Sequence, residues 1–386
     1  MRTVHPVRRP LAPALVGLTL GVTLAACGSN DEGKSGQGAA SGGRTVEVAL
    51  TDAGCEPAKL ELAAGATTFK VTNKGTDKVS EFEVKQGERI LGEVENVTAG
   101  LERSFSLNLR PGSYVLECPG GSGAAEGTLT VAAGAGSGAE ASAEVAASAT
   151  RYRRYVERQT ALLVTRTKEL ADAVVAGDVA AAKQRYVPAR IPYERIEPVA
   201  ESFGDLDPAI DAREGDVPAA EWGGFHKIER ALWVQGSAKG MAPVARKLLA
   251  DVTQLQQLAG TVALDAPQIA NGANELLGEV SNSKITGEEE RYSRTDLVDF
   301  KANLDGSRAA FDAVRPALVK LDSDLVGLIQ RRFDGADRAL APYARGEAGN
   351  YVAYDRLGDS DKRRLSQSID ALAEPLSQVS AKLAAG

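Results

Sequence analysis

His226 is the only histidine beyond the first thirty residues of this 386-residue chain, and three positions after it stands Glu229. On a helix, at about 100° per residue, Trp222, His226, Glu229 and Trp233 fall within about 60° of one another. An imidazole and a carboxylate side by side, bracketed by aromatics, is how helical bundles present a metal-ligating pair to their interior. The same spacing is common in capped or charge-paired surface couples. A second pair shifts the balance: Glu194 and Glu197 are also three apart, beside the apolar Tyr193 and Ile196. Two carboxylates on one helical face repel unless a cation or a proton joins them. Pro188, Pro192 and Pro198 interrupt this stretch, so a kinked or late-starting helix is expected there. Acidic residues recur at Asp205, Asp207, Asp211, Glu214 and Asp216, and again at Glu288-Glu289-Glu290, Asp296 and Asp299. For any one of these, a solvated face or a helix N-cap is the plainer role. One imidazole among carboxylates makes a hard, oxygen-rich site that suits iron or manganese, admits zinc and disfavours Cu(I). The chain has no His-Glu-x-x-His, so a zinc peptidase would need carboxylate ligands, an open coordination position and a separate general base.

The elements that must position these residues differ along the chain. Residues 45–131 alternate with period two, as in Val46, Val48, Leu50; Phe69, Val71; Phe82, Val84; Phe105, Leu107, Leu109; and Tyr114, Leu116, Cys118. Asn73-Lys74-Gly75, Gln86-Gly87 and Arg110-Pro111-Gly112 punctuate the runs, which predicts a small antiparallel β-sandwich with one modest core. Residues 151–386 instead show helical spacing, with Val156, Leu163 and Leu170 at sevens and Tyr186, Tyr193, Ile196, Ala200 and Phe203 at sevens, threes and fours. That is the seam of an all-α bundle. Between the two, residues 132–150 are small and polar and are expected to be a linker.

The N-terminus has the order of an export signal: Arg2, Arg8 and Arg9, then an apolar run from Leu11 to Leu24 that is short for a membrane span. It closes on Leu24-Ala25-Ala26-Cys27, which is similar to a bacterial lipobox and implies lipidation of Cys27 after removal of residues 1–26. Residues 27–44 hold almost nothing that could be buried and are expected to be a flexible tether. Loss of the signal lowers the formal charge from -7 to about -10, which disfavours nucleic acid as a partner. The expected location is the outer face of the cytoplasmic membrane, held there by the lipid.

Five segments in order resemble EfeO proteins, which belong with the imelysin-like group once classed as M75 peptidases. They are Tyr193-Glu194-Arg195-Ile196-Glu197-Pro198, Glu201 to Asp207, Asp211-Ala212-Arg213-Glu214, Phe225-His226-Lys227-Ile228-Glu229 and Gly287 to Ser293. The resemblance implies a helical metal-binding domain over 151–386 with His226, Glu229, Glu194, Glu197, Asp211 and one of Glu288 or Glu289 as ligands. It also implies capture of iron, as Fe(II) or Fe(III), in an EfeUOB-type uptake system beside a membrane permease and a haem-peroxidase-like protein. One departure is Arg294, where many members of the family carry a histidine. EfeO proteins often bear an N-terminal cupredoxin-like domain, and residues 45–131 resemble one. By that likeness Cys118 stands where a copper thiolate would be, Glu81 where the first histidine would be and Leu116 at the methionine position. The region has no histidine or methionine, so a blue-copper site is excluded. Two readings of its cysteines stay open, a Cys55–Cys118 disulfide or a modified copper or iron site with Glu81. Beside the iron-binding, non-enzymatic reading stand an M75-type metal-dependent peptidase and a polysaccharide-binding lipoprotein.

Overall fold

The computed structural model describes residues 43–386 apart from 88, 124–125, 134–142 and 347–349. The signal, Cys27 and most of the tether lie outside the described residues. Strands β1 (Arg44–Thr51), β2 (Gly54–Glu56), β4 (Gly65–Asn73) and β7 (Glu102–Leu109) form one sheet in the order β2-β1-β4-β7. Strands β3 (Lys59–Ala63), β5 (Phe82–Gln86), β6 (Arg89–Val94), β8 (Gly112–Glu117) and β9 (Glu126–Ala132) form the other, in the order β3-β9-β8-β5-β6. The alternating residues predicted to face inward do so: Val48, Leu50, Phe69, Val71, Phe82, Phe105 and Leu116 are all buried in one core. Phe69 and Phe105 stack there at 5.3 Å between ring centroids. The sandwich is mixed and not purely antiparallel, because β1 pairs with β4, and β3 with β9, in parallel. Alternation fixes which face a residue takes but is blind to strand direction. Asn73 closes the turn after β4 by accepting the backbone N–H groups of Gly75 and Thr76 on its side-chain oxygen.

Helix α1 runs from Ala143 to Ala176, so the second half of the stretch expected to be a linker is already helical. Alanine and glutamate there carry enough helix propensity to outweigh the small-residue composition. Tyr152, Val156, Leu163 and Leu170 form its buried seam. Gly177, at φ 75°, ends it, and Asp178 caps α2 (Val179–Glu194) by accepting from Ala181. Then follow α3 (Leu206–Asp211), α4 (Gly224–Trp233), α5 (Ala242–Ala259), α6 (Ala266–Asn282), α7 (Asp296–Leu321), α8 (Ser323–Leu340), α9 (Asp359–Leu376) and α10 (Val379–Ala385). Among the described residues, no helix is long and apolar enough to cross a membrane.

Sandwich and bundle have separate cores yet belong to one compact unit. Helix α6, with α10, lies between them: from α6, Asn271 donates to the Ser106 carbonyl at 2.8 Å, and Glu275 accepts the Glu95 N–H at 2.9 Å. Its other side meets the 3-10 helix Glu197–Phe203, where the Pro198 carbonyl lies so close to Gly272 that a Cβ would fall 1.8 Å from its oxygen.

Candidate metal centre

The proline-rich stretch resolves into two elements. Helix α2 continues through Pro188 and Pro192 and ends at Glu194, and the 3-10 helix begins at Glu197 with Pro198 at its start. Glu194 and Glu197 therefore do not share an α-helical face. Trp222 likewise precedes α4, which begins only at Gly224. Gly224 has φ 66°, and a side chain there would strike the Ile210 carbonyl. This close approach brings the end of α3, carrying Asp211, beside the first turn of α4, carrying His226 (Trp222 still reaches back, donating to the Ala212 carbonyl at 2.8 Å).

His226 is 1% exposed, and its Nε2 has no hydrogen-bond partner. That nitrogen faces Asp211 Oδ1 at 3.5 Å and Glu289 Oε1 at 3.6 Å, and the three residues offer ligand atoms all within 4.8 Å of one another. Nδ1 lies 3.4 Å from Glu229 Oε2. The other oxygen of Glu229 accepts the backbone N–H groups of Tyr292, at 2.8 Å, and Ser293, at 2.6 Å. Glu229 thus orients the imidazole from behind, the arrangement that fixes which nitrogen a ligating histidine presents to a metal. The i, i+3 spacing foresaw the pairing, but not that only one member of it faces the centre.

A buried cation shares the site. Arg190, wholly buried, is paired with Glu194, Asp211, Glu289, Glu290 and Asp299, with Nη2 3.2 Å from Glu289 and Nε 2.7 Å from Glu290. Lys284, 4% exposed, pairs with Glu197 and lies 3.6 Å from Glu194 and 3.9 Å from Glu289. Sequence reasoning passed over both. Arg190 left a faint signal, four residues before Glu194 on the same helix face; Lys284 left none.

These charges divide the carboxylates into two sets. Burial works to raise Glu289, but Lys284, His226 and Arg190 hold it well below the usual range. Burial likewise opposes ionisation of Glu194 and Glu229, yet Arg190 and Lys284 lower the first, and His226 with the backbone donors lowers the second. Glu290 and Asp299 are pushed well above the ordinary range, chiefly by burial. Glu290 is held between the Tyr186 hydroxyl, donating at 3.1 Å, and the Ser293 hydroxyl, donating at 2.6 Å. Burial and Arg190 resist charging His226, but Asp211, Glu229 and Glu289 outweigh them and lift it to about 10. Without a metal the imidazole therefore carries a proton at neutral pH, in the place where the cation would sit.

Of the expected ligands, Asp211, His226 and Glu289 converge, with Glu229 behind them. Glu194 is adjacent, bonded to Arg190 and accepting from Asn303 at 2.9 Å. Glu197 is drawn off by Lys284 and Asn303. Glu288 is exposed, and its neighbour Glu289 turns inward. Arg294 adopts φ 64° with its side chain 3.4 Å from the Gly287 carbonyl and does not touch His226. The acidic residues at 289, 290, 296 and 299 are buried, whereas Asp205, Asp216 and Glu288 are exposed.

In the sandwich, Cys55 and Cys118 are joined by a disulfide, S–S 2.00 Å, which leaves no thiolate for copper or iron. Glu81 lies instead with Glu93 and Glu95.

Residues 148–379 match the family described as imelysin, and residues 17–131 match a cupredoxin-like domain. The chain is 39% identical over 343 residues to the iron uptake system component EfeO of Escherichia coli K12, covering 86% of this chain and 90% of that protein. The same figures hold for the proteins of that name from Shigella flexneri and Shigella sonnei. Among solved structures, auracyanin A, a blue copper protein of Chloroflexus aurantiacus, overlaps 24% of this chain and all of its own, with 18% identity and a TM-score of 0.22.

Proposed function

The chain belongs to the EfeO family of iron uptake system components, built on an imelysin domain, and from that premise we propose that its task is capture: the His226 centre takes up iron outside the cytoplasm and delivers it to a membrane permease. The observation that carries this reading is the buried Nε2 of His226, without a hydrogen bond of its own, converging with Asp211 and Glu289. A nitrogen and two carboxylates suit a borderline-to-hard cation. The metal replaces the imidazole proton, so loading releases a proton and weakens as pH falls. Arg190 and Lys284 offset part of the carboxylate charge, which keeps the empty centre stable and leaves the iron removable.

Calorimetric titration of the full chain with Fe(II) under nitrogen, and with ferric citrate in air, tests the assignment and the oxidation state together. In Asp211→Asn/His226→Ala the affinity of this centre should fall by at least about 100-fold. Unchanged affinity in that double variant would sink the assignment.

The centre is read as non-catalytic. Glu229 spends both oxygens on His226 and two backbone donors, so it is not free to act as the general base that metal-assisted hydrolysis requires. Chelator-sensitive cleavage of peptides by the purified chain would count against this. Lipidation of Cys27 would keep the centre at the outer membrane face beside the permease and a haem-peroxidase-like partner. An acyl-modified Cys27 at the N-terminus of the mature chain, found by mass spectrometry, is the matching test.

A further inference from the structure

A second set of carboxylates lies where the sandwich meets the bundle. Glu81 precedes β5, Glu93 lies in β6 and Glu95 just after it; facing them are Glu201 of the 3-10 helix and Glu275 and Glu279 of α6. Two groups of three have ligand oxygens within 4.8 Å of one another: Glu81, Glu93 and Glu95, and then Glu95, Glu201 and Glu279. Glu95 belongs to both. Carboxylates do not gather this closely without something positive between them.

Three observations separate this cluster from an ordinary acidic surface. Glu93 is 5% exposed and its Oε1 has no hydrogen-bond partner. A cavity of about 30 Å³ opens beside it, lined among others by Glu93, Glu201, Glu275 and Asn271, with room for one small occupant. Among the described residues, no lysine or arginine comes within ion-pair distance of Glu81, Glu93, Glu95, Glu201, Glu275 or Glu279, whereas the His226 centre has Arg190 and Lys284 built in. Arg213 and Lys284 act on Glu95, Lys284 on Glu279 and Arg103 on Glu275, all from beyond that distance. In the absence of a bound cation these distant charges leave most of the relief to protons: burial and neighbouring carboxylates raise Glu81 to about 9, Glu275 to about 8 and Glu201 to about 7.

We propose that Glu93, Glu95, Glu201 and Glu279 bind a hard multivalent cation between sandwich and bundle, at a site separate from the His226 centre. Its donors are all carboxylate oxygens from both parts of the molecule, so the ion clasps β6 to α6 and to the 3-10 helix. Such a set favours trivalent or calcium-like cations over soft ones.

Terbium(III), a hard ion read by its luminescence, is the probe. The background is the full chain carrying Asp211→Asn/His226→Ala, which silences the first centre and keeps its fate distinct from that of this one. One Tb³⁺ should remain bound per chain. Adding Glu93→Gln/Glu95→Gln/Glu279→Gln should weaken it by at least about tenfold. These substitutions preserve size and remove mutual repulsion, and a thermal melt at least as high as the background's shows that loss of binding is not loss of fold. Glu93→Gln alone serves as the milder variant if the triple does not fold. Amide exchange in β6 and α6 should slow with Tb³⁺ and not in the variant. Equal Tb³⁺ affinity with and without the glutamines, no Tb³⁺ bound in the background, or a luminescence lifetime of a fully hydrated ion would each overturn the proposal.

Discussion

Glu229 and Arg190 do most to define the His226 centre without belonging to its ligand set. Glu229 is tied by one oxygen to the backbone of Tyr292 and Ser293, so its other oxygen is aimed at His226 Nδ1. In Glu229→Gln the backbone bonds survive, but an amide replaces the carboxylate behind the imidazole. Iron affinity by calorimetry should fall about 10- to 100-fold with no change in the melting curve. Arg190 acts in the opposite sense, because it neutralises Asp211, Glu289 and their neighbours where the metal needs them. Removing one partner of a buried ion cluster leaves the others uncompensated, so Arg190→Gln should destabilise the metal-free protein by about 3–5 kcal/mol in denaturant titrations. The same variant should bind iron more tightly than the parent, since a competing positive charge is gone. Weaker binding would show that Arg190 mainly shapes the site.

Among the elements, α6 packs against both parts of the molecule. It buries one side in the bundle, bonds β7 through Asn271, and supplies Glu275 and Glu279 to the interface. Its start is fixed by a capping box in which Asp265 accepts from Gln268 N–H and Gln268 returns a bond to Asp265 N–H. Two glycines in this helix have opposite roles. A Cβ at Gly272 would overlap the Pro198 carbonyl, whereas one at Gly278 meets nothing closer than an arginine nitrogen at 3.9 Å. Helix propensity alone favours alanine at both by up to about 1 kcal/mol. Thermal melts should therefore show Gly278→Ala stabilised, and Gly272→Ala destabilised by about 2 kcal/mol or more because the 3-10 helix must be pushed away. That element carries Glu197 and Glu201, so metal binding should suffer with it.

For the molecule as a whole, stability depends on how buried charge and chain closure are handled. The Cys55–Cys118 bond closes a loop with a sequence separation of 63 residues. In the chain-entropy view such a bond contributes about 4 kcal/mol, so Cys55→Ala/Cys118→Ala should lower the unfolding free energy by about that amount. Asp296, 1% exposed, is raised to about 6 by burial, against hydrogen bonds that include the Glu290 N–H. Unfolded, it titrates near 3.9. Below about pH 4 both states hold the proton and nothing is lost; between about 4 and 6 the unfolded chain ionises first, so stability falls as pH rises. Asp296→Asn should match the parent in denaturant titrations near pH 4 and exceed it by about 2 kcal/mol at pH 7.

The order of elements, the inward-facing residues of the sandwich and the α1 seam were legible in the sequence, because hydrophobic period records which side of an element is buried. His226 with Glu229, and the disulfide as one of two options, were legible too, since spacing along a helix and pairs of cysteines are local signals. Strand direction was not, because parallel and antiparallel pairing bury the same alternating residues. Nor was the arrangement of the candidate ligands: Asp211, His226 and Glu289 come from α3, α4 and the loop after α6, and Gly224 decides how closely α3 and α4 approach. The sequence recorded an acidic chain with one histidine beyond its first thirty residues. Only the tertiary structure decided which carboxylates are ion-paired directly to a buried Arg190 or Lys284 and which, where the sandwich meets the bundle, feel such charges only from a distance. Such pairing depends on distances of a few ångströms between residues up to about a hundred positions apart, as between Arg190 and Glu289.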